Sequence, residues 1–201
     1  MQKRLLIIGL TLLIILGTTA TAPAHPHAFI AQRTRLIFDD KGLAGFKVSW
    51  AFDEMFSAMI AEDFDANHDG NLDPAEVAVI KEKAFGYISK DQYYIHVKIQ
   101  GEPFAVKYIR DFDARLENGM LFYEFLVPCH VSAGPKGKQI TISPYDPEYY
   151  SALYFIEKNP VVLENDQDYQ VTSEIKEDKT TSIYYDMVHP YALFIDFRKL
   201  K

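Results

Sequence analysis

The sequence predicts a mostly β (α+β) fold, an antiparallel β-sandwich-like domain with an EF-hand-type helix-loop-helix inserted at about residues 53–90. Three observations carry this prediction. Apolar and polar residues alternate with a period of two in several segments, as half-buried strands require. Turn residues separate these segments, and Asn118-Gly119 is the strongest hairpin signal among them. Between Asp53 and Ile88 the apolar residues instead recur at helical spacing.

The first 24 residues predict a cleavable secretory signal peptide. Lys3-Arg4 precede an apolar run over residues 5–16, and Ala22-Pro23-Ala24 fits an A-x-A cleavage site. The mature protein would start at His25, form one domain over residues 25–201 and reside in the periplasm or outside the cell. An uncleaved N-terminal anchor is the alternative. No cysteine follows the run, which excludes a lipid anchor there.

Composition and charge limit the number of domains, the possible disulfides and the classes of binding partner. With 201 residues, 48% hydrophobic and 14% aromatic, the chain can build one ordinary core. Cys129 is the single cysteine, so no disulfide can form within the chain, and a buried structural thiol is expected. Loss of the signal segment leaves 19 basic and 28 acidic residues, a net charge of −9. This charge argues against binding to nucleic acid or to an anionic membrane.

The first predicted unit is a β-hairpin over residues 28–38 and 43–52, with turn chemistry at residues 39–42. Asp53 then occupies the position of a helix N-cap. Two apolar stripes with helical spacing follow, one before and one after residues 65–76, and predict a pair of helices. The stripes are Met55, Phe56, Met59, Ile60 and Phe64, then Val77, Ile80, Ala84, Phe85 and Ile88.

The segment between the two predicted helices has the residue spacing of an EF-hand calcium loop. Gly70 stands at the sixth position, where the loop reverses sharply and a positive φ is needed. Asp73, Pro74 and Glu76 also form a helix start close to a capping box. The spacing predicts a Ca²⁺ site, with a solvated acidic turn as the alternative. The predicted ligands are Asp65, Asn67, Asp69, Asn71 (through its backbone carbonyl), Asp73 and Glu76, while His68 sits at a non-ligating position.

Alternation with a period of two returns at residue 93 and predicts the remaining strands. Turns are expected at Gly101-Glu102-Pro103 and at Asn118-Gly119, with a break at Asn159-Pro160. The predicted strands cover residues 93–100, 104–109, 115–117, 120–131, 139–143, 152–157, 169–175, 182–187 and 192–198.

Four motifs in this order resemble a known bacterial family, domain of unknown function 1007 (DUF1007). They are His25-Pro26-His27, Trp50-Ala51-Phe52-Asp53-Glu54, the calcium-like loop, and Tyr145-Asp146-Pro147-Glu148-Tyr149-Tyr150. The resemblance covers nearly all of the mature chain. It implies an exported protein of the kind often labelled the periplasmic component of an ABC-type transport system and often found beside nickel/cobalt-type permeases. A membrane metal-ion permease would then be the partner. Ala31 departs from the pattern, which has an acidic residue there, so the resemblance implies no carboxylate ligand on the first strand.

A second metal site is predicted at the mature N-terminus. Cleavage before His25 would give one metal ion an α-amine and an imidazole, and His27 would add a second imidazole. Nitrogen ligands of this kind suit Cu²⁺, Ni²⁺, Co²⁺ or Zn²⁺ rather than Ca²⁺. Pro26 has no N–H to deprotonate, which blocks a chelate through that amide. Two interpretations stay open. The site is completed by His96, His130, His189 or a carboxylate, or the processed N-terminus binds no metal.

No nucleophile, acid–base pair or phosphate-binding glycine loop appears in a motif context, so catalysis is not predicted. The cluster at residues 145–150 is expected to be packing at a sheet corner, with a ligand surface as the alternative. The function predicted from the sequence is an exported, non-catalytic, calcium-binding accessory protein of nickel-, cobalt- or zinc-type metal-ion handling in the bacterial envelope. Two alternatives stay open: a copper enzyme that uses His25, and a structural or partner-binding envelope protein stabilised by calcium.

Overall fold

The computed structural model describes residues 26–134 and 136–200. The predicted signal peptide and His25 lie outside the described residues. Two helices, a π-helical turn and a 3₁₀ segment follow the first hairpin, and strands make up most of the rest. The elements are β1 (Ala28–Phe38), β2 (Gly42–Phe52), α1 (Glu54–Phe64), α2 (Pro74–Ile80), the π-helical turn (Lys81–Phe85), the 3₁₀ segment (Gly86–Tyr94), β3 (Ile95–Ile99), β4 (Glu102–Phe104), β5 (Arg110–Glu117), β6 (Met120–Ser132), β7 (Lys138–Pro144), β8 (Ser151–Phe155), β9 (Val161–Glu164), β10 (Tyr169–Glu177) and β11 (Tyr191–Lys199).

The strands form two sheets, which confirms a mostly β fold. The first sheet has the order β5-β6-β2-β1-β8, with β9 also paired to β1, and the second has the order β10-β11-β7-β3-β4. Every pairing is antiparallel except those of β1 with β8 and with β9, which are parallel. The prediction of an antiparallel fold is therefore corrected at this edge. The chain enters β8 from β7 of the other sheet rather than through a hairpin, and so it runs alongside β1 in the same direction.

One hydrophobic core lies between the two sheets. The Phe38 ring of β1 is 5.4 Å from the Phe197 ring of β11, which joins one sheet to the other. Trp50 of β2 packs edge-on against Phe125 of β6 at 5.0 Å and lies near Phe85 at 6.1 Å. Because Phe85 belongs to the π-helical turn, the helical insertion is anchored to the same core.

Both predicted hairpins are confirmed. Each is closed by the turn residues that predict it. Asp39 Oδ1 accepts hydrogen bonds from Lys41 N (2.8 Å) and Gly42 N (3.0 Å) between β1 and β2. Asn118 and Gly119, with φ of 53° and 78°, connect β5 to β6. These left-handed conformations are those that an Asn-Gly hairpin turn uses.

The end of the helical insertion differs from the prediction. α2 stops at Ile80, and the chain continues through the π-helical turn and the 3₁₀ segment as far as Tyr94. The strand predicted from residue 93 therefore begins at Ile95. Gln92, Tyr93 and Tyr94 have φ of 55°, 56° and 55°, which is incompatible with a strand.

Two later strand predictions are wrong and one strand was missed. Residues 104–109 were predicted as a strand, but β4 covers Glu102–Phe104, so the turn predicted to include Pro103 is shorter. Residues 182–187 form turns with a single bridge between Ile183 and Val188. β9 was missed because its four residues follow the break at Pro160. Within the described residues, no helix combines the length and hydropathy needed to span a membrane.

Candidate metal centre

The helix that enters the acidic loop is fixed to the first sheet at its start. Asp53 Oδ1 accepts a hydrogen bond from Phe56 N (2.9 Å), which caps α1, and Oδ2 accepts one from Phe29 N of β1 (2.7 Å). One turn later, Ser57 Oγ accepts a hydrogen bond from Leu121 N of β6 (2.9 Å). The N-cap prediction for Asp53 is confirmed, and α1 is held to β1 and β6.

The helix that leaves the loop starts with a complete capping box. Asp73 Oδ1 accepts hydrogen bonds from Ala75 N (2.7 Å) and Glu76 N (2.9 Å), and Pro74 stands at the first helical positions. In return, Glu76 Oε2 accepts one from Asp73 N (2.9 Å). Two of the free N–H groups at the helix start are thus satisfied reciprocally, as predicted.

The side chains at the two ends of the loop fold back onto its backbone. Asp65 Oδ1 accepts a hydrogen bond from Asp69 N (3.2 Å), and its Oδ2 accepts one from Gly70 N (2.9 Å). Glu76 Oε1 accepts one from Ala66 N (2.8 Å). Gly70 has φ of +78°, the left-handed conformation predicted for the sixth position. The first and last carboxylates are therefore drawn into the loop, and both are buried.

The charge of this loop is not neutralised by basic side chains. Asp65, Asp69, Asp73 and Glu76 carry four carboxylates, and Asp65 and Glu76 are only 5% and 7% exposed. None of the ion pairs within residues 26–134 and 136–200 involves any of them. Backbone N–H groups, rather than basic side chains, are therefore the partners of the two buried carboxylates among the described residues.

The loop side chains do not converge on one point in this structure. Across the described part of the chain, no three His, Cys, Asp or Glu side chains are close enough to hold a metal ion. Their oxygens face the loop backbone instead: Asn67 Oδ1 accepts from Asp69 N (2.9 Å) and Asp69 Oδ1 from Asn71 N (2.8 Å). Each carboxylate oxygen that accepts one N–H keeps a further lone pair, so these bonds leave capacity for a ligand.

Of the two histidines predicted to form the N-terminal metal site, the structure describes His27. His27 is exposed, its backbone N donates to Tyr150 O (2.8 Å), and its ring centroid lies 4.9 Å from that of Tyr150. His25, the other predicted ligand, lies outside the described residues. The structure therefore places His27 beside the aromatic corner at residues 145–150.

Two of the three histidines predicted to complete that site, His96 and His189, hydrogen-bond to other groups. His96 stacks on Tyr145 at 3.7 Å with an interplanar angle of 8°, and its Nε2 donates to Tyr145 O (3.2 Å) while Nδ1 accepts from Gln92 Nε2 (3.4 Å). Burial lowers the pKa of His96, so its neutral form is favoured. His189 Nδ1 donates to Thr181 O (2.7 Å). His68 and His130 are exposed, and neither belongs to a metal-sized cluster among the described residues.

The aromatic corner is organised by a buried aspartate that is not among the predicted site residues. Asp146 is 2% exposed, and its two oxygens accept from Glu148 N (2.9 Å) and Ser151 N (2.9 Å). The Asp-Pro pair in this motif was the available signal, since Asp favours such turns. These contacts support packing at a sheet corner.

Cys129, the predicted structural thiol, is likewise buried, and burial raises its pKa to about 12.

Comparison with known proteins gives family-level similarity. A sequence model of the family described as "Protein of unknown function (DUF1007)" matches residues 10–187. A Haemophilus influenzae protein named "Uncharacterized protein" is 28% identical over 143 residues, which cover 69% of this chain and 66% of that relative, slightly less than two thirds of its length. The Spirochaeta aurantia "Uncharacterized 15.5 kDa protein in trpE 3'region" is 23% identical over 133 residues, 66% of this chain and 94% of that protein.

Proposed function

The chain belongs to the DUF1007 family of proteins of unknown function, and from that premise we propose that it is an exported, non-catalytic accessory protein stabilised by Ca²⁺ at residues 65–76. Its role would be metal-ion handling in the bacterial envelope. The observation that carries the calcium site is the loop's charge: four carboxylates in calcium-loop spacing, two of them buried, with no basic partner among the described residues.

The proposed site is of the EF-hand type, with oxygen ligands suited to a hard divalent cation. The bound ion would supply the positive charge that the loop lacks. Gly70 allows the sharp reversal, and the capping box orients Glu76 at the loop's end. The ligands would be the side chains of Asp65, Asn67, Asp69, Asp73 and Glu76 and the backbone carbonyl of Asn71.

Stabilisation rather than signalling follows from how the helices are held. The Phe52 and Phe56 rings stack at 4.9 Å, and α1 is hydrogen-bonded to β1 and β6. Sites of extracellular proteins bind calcium with dissociation constants of roughly 10⁻⁴ to 10⁻³ M, so at the roughly millimolar Ca²⁺ found outside the cytoplasm such a site would be half to mostly filled. We therefore propose that the ion ties α1 to α2 as a permanent part of the fold.

Thermal unfolding with Ca²⁺ and with EGTA tests this proposal. A tenfold excess of free Ca²⁺ over the dissociation constant stabilises the folded state by about 1.4 kcal/mol, so EGTA should lower the Tm by a few degrees. Asp65→Asn and Glu76→Gln should abolish this difference. Asp63→Asn is the matched control, because it removes an exposed carboxylate just outside the loop and should preserve the difference. A Tm that EGTA leaves unchanged contradicts the calcium site.

The proposed role in metal-ion handling rests on the metal-ion permease that the family resemblance implies as a partner and on His25-Pro26-His27, the predicted start of the mature chain. We expect calorimetry to show Ni²⁺ binding to mature protein whose N-terminus has been verified by mass spectrometry. The double variant His25→Ala/His27→Ala should lose this binding, and His130→Ala, at another exposed histidine, should retain it. Equal Ni²⁺ binding by all three proteins would instead favour the structural or partner-binding alternative.

A further inference from the structure

The outer face of the first sheet contains a hollow of about 280 Å³ that the proposed calcium site does not use. Strand register places Ala31 of β1 opposite Ala51 of β2, Ala51 opposite Phe122 of β6, and Phe122 opposite Arg115 of β5. The two alanines leave a low, apolar floor in the middle of the sheet. Arg115 lies over the Phe122 ring, with its guanidinium carbon 4.9 Å from the ring centroid, and together they form one wall.

The next row across the same strands is polar. Arg33 of β1 is opposite Ser49 of β2, which is opposite Glu124 of β6. Ser49 Oγ donates to Glu124 Oε1 (3.1 Å), while Lys47 Nζ lies 2.9 Å from Glu124 Oε2 and Arg115 Nη1 lies 3.7 Å from Oε1. The glutamate in this row therefore already has two cationic partners.

Arg33 differs from its neighbours because its charge is not paired. It is exposed, and no ion pair within residues 26–134 and 136–200 involves it. Arg35, two residues along the same face of β1, pairs with Glu164 at 3.4 Å. Glu124 pairs most closely with Lys47, and Arg115 is shared between Glu124 and Glu117, so Arg33 is the guanidinium of the hollow that has no ion-pair partner among the described residues. This positive site lies on a mature chain whose net charge is −9.

We propose that this hollow binds a small organic carboxylate, with the carboxylate paired to Arg33 and the apolar body resting on Ala31, Ala51 and Phe122. The planar guanidinium of arginine matches a carboxylate through two parallel hydrogen bonds. The apolar floor favours an acid with a hydrophobic body over an inorganic anion. The volume, near the lower limit of ligand pockets, restricts the ligand to about the size of one aromatic ring with its acid group.

Benzoate is a suitable probe, and its neutral isostere benzamide is the matched ligand control. Amide chemical shifts measured during a benzoate titration should move at Ala31, Ser49 and Ala51. Arg33→Gln should weaken benzoate binding by about tenfold or more, because it replaces a charge-assisted contact with a neutral one. Arg35→Gln removes an equal charge from the same face of the strand but should leave the benzoate affinity unchanged.

A second variant tests the floor of the hollow separately from the charge. Ala51→Leu fills the space above the sheet while Arg33 stays in place, so it should also weaken benzoate binding. The proposal is overturned if benzoate does not move these resonances, if benzamide binds as well as benzoate, or if Arg33→Gln and Ala51→Leu both bind like the wild type. None of these results depends on Ca²⁺, so this proposal stands or falls independently of the calcium site.

Discussion

At the scale of single residues, the core contains buried polar groups with hydrogen-bond partners and, among the described residues, one without. Trp50 Nε1 donates to Gln32 Oε1 (2.9 Å), and Gln32 Nε2 donates to Thr34 Oγ1 (3.1 Å), so a fully buried polar chain is satisfied. The Tyr123 hydroxyl is also buried, but among the described residues it has no hydrogen-bond partner. Burial raises the pKa of Tyr123 and keeps it neutral.

Replacement of Tyr123 by phenylalanine should therefore stabilise the protein. The ring contacts with Phe52 (4.8 Å) and Phe112 (5.2 Å) would remain, and the cost of burying an unpaired hydroxyl would disappear. We expect Tyr123→Phe to raise the free energy of unfolding by about 1 kcal/mol in urea denaturation.

Tyr169→Phe is the control, because the Tyr169 hydroxyl donates to Asp39 O (2.5 Å). That variant should lose about 1 kcal/mol of stability. If the two variants are destabilised to the same extent, the Tyr123 hydroxyl must have a partner in solution and the prediction is wrong.

At the scale of elements, the sequence predicts a turn or helix start correctly where a side chain hydrogen-bonds to backbone only a few residues away. The turn at Asp39 and the capping box at Asp73 were predicted for this reason. The strand predicted over residues 182–187 is wrong because Tyr184, Tyr185 and Asp186 have φ of 49°, 56° and 62°, which a strand does not adopt. Lys98 Nζ of β3 reaches the buried Asp178 Oδ2 at 3.1 Å and fixes the connection between β10 and β11.

The Lys98–Asp178 contact predicts how the stability of this connection depends on pH. Burial alone would raise the pKa of Asp178, but hydrogen bonds from Thr180, Thr181 and Lys98 outweigh it and lower the pKa from 3.8 to about 2. A carboxylate whose pKa is lower in the folded state stabilises it fully above the unfolded value. That stabilisation is lost as the pH falls from 3.8 to about 2.

Asp178→Asn measures this contribution, which is on the order of 2 kcal/mol. Urea unfolding at several pH values gives the free energy of unfolding of both proteins. The wild type should be more stable than the variant by the largest amount above about pH 4, and this difference should narrow toward pH 2. Glu177→Gln alters an exposed carboxylate one residue away and should show no comparable gap. A gap between wild type and Asp178→Asn that does not change with pH would contradict the assigned role of this carboxylate.

At the scale of the whole molecule, the mostly β fold and the positions of most strands followed from alternation and turn chemistry. The parallel pairing of β8 and β9 with β1 did not, because it depends on how the chain crosses between sheets far along the sequence. The calcium-like loop is continuous in sequence and could be predicted. The hollow beside Arg33 could not be predicted, because Ala31, Ala51 and Phe122 become neighbours only through strand register.

Calcium binding by residues 65–76 is tested most directly by isothermal titration of Ca²⁺ into the metal-free mature protein. The predicted result is a single saturable site per chain with a dissociation constant of roughly 10⁻⁴ to 10⁻³ M. This binding should be absent in Glu76→Gln and intact in Asp63→Asn. No saturable binding by the wild type, or equal binding by Glu76→Gln, would contradict the account and leave the loop as an acidic turn.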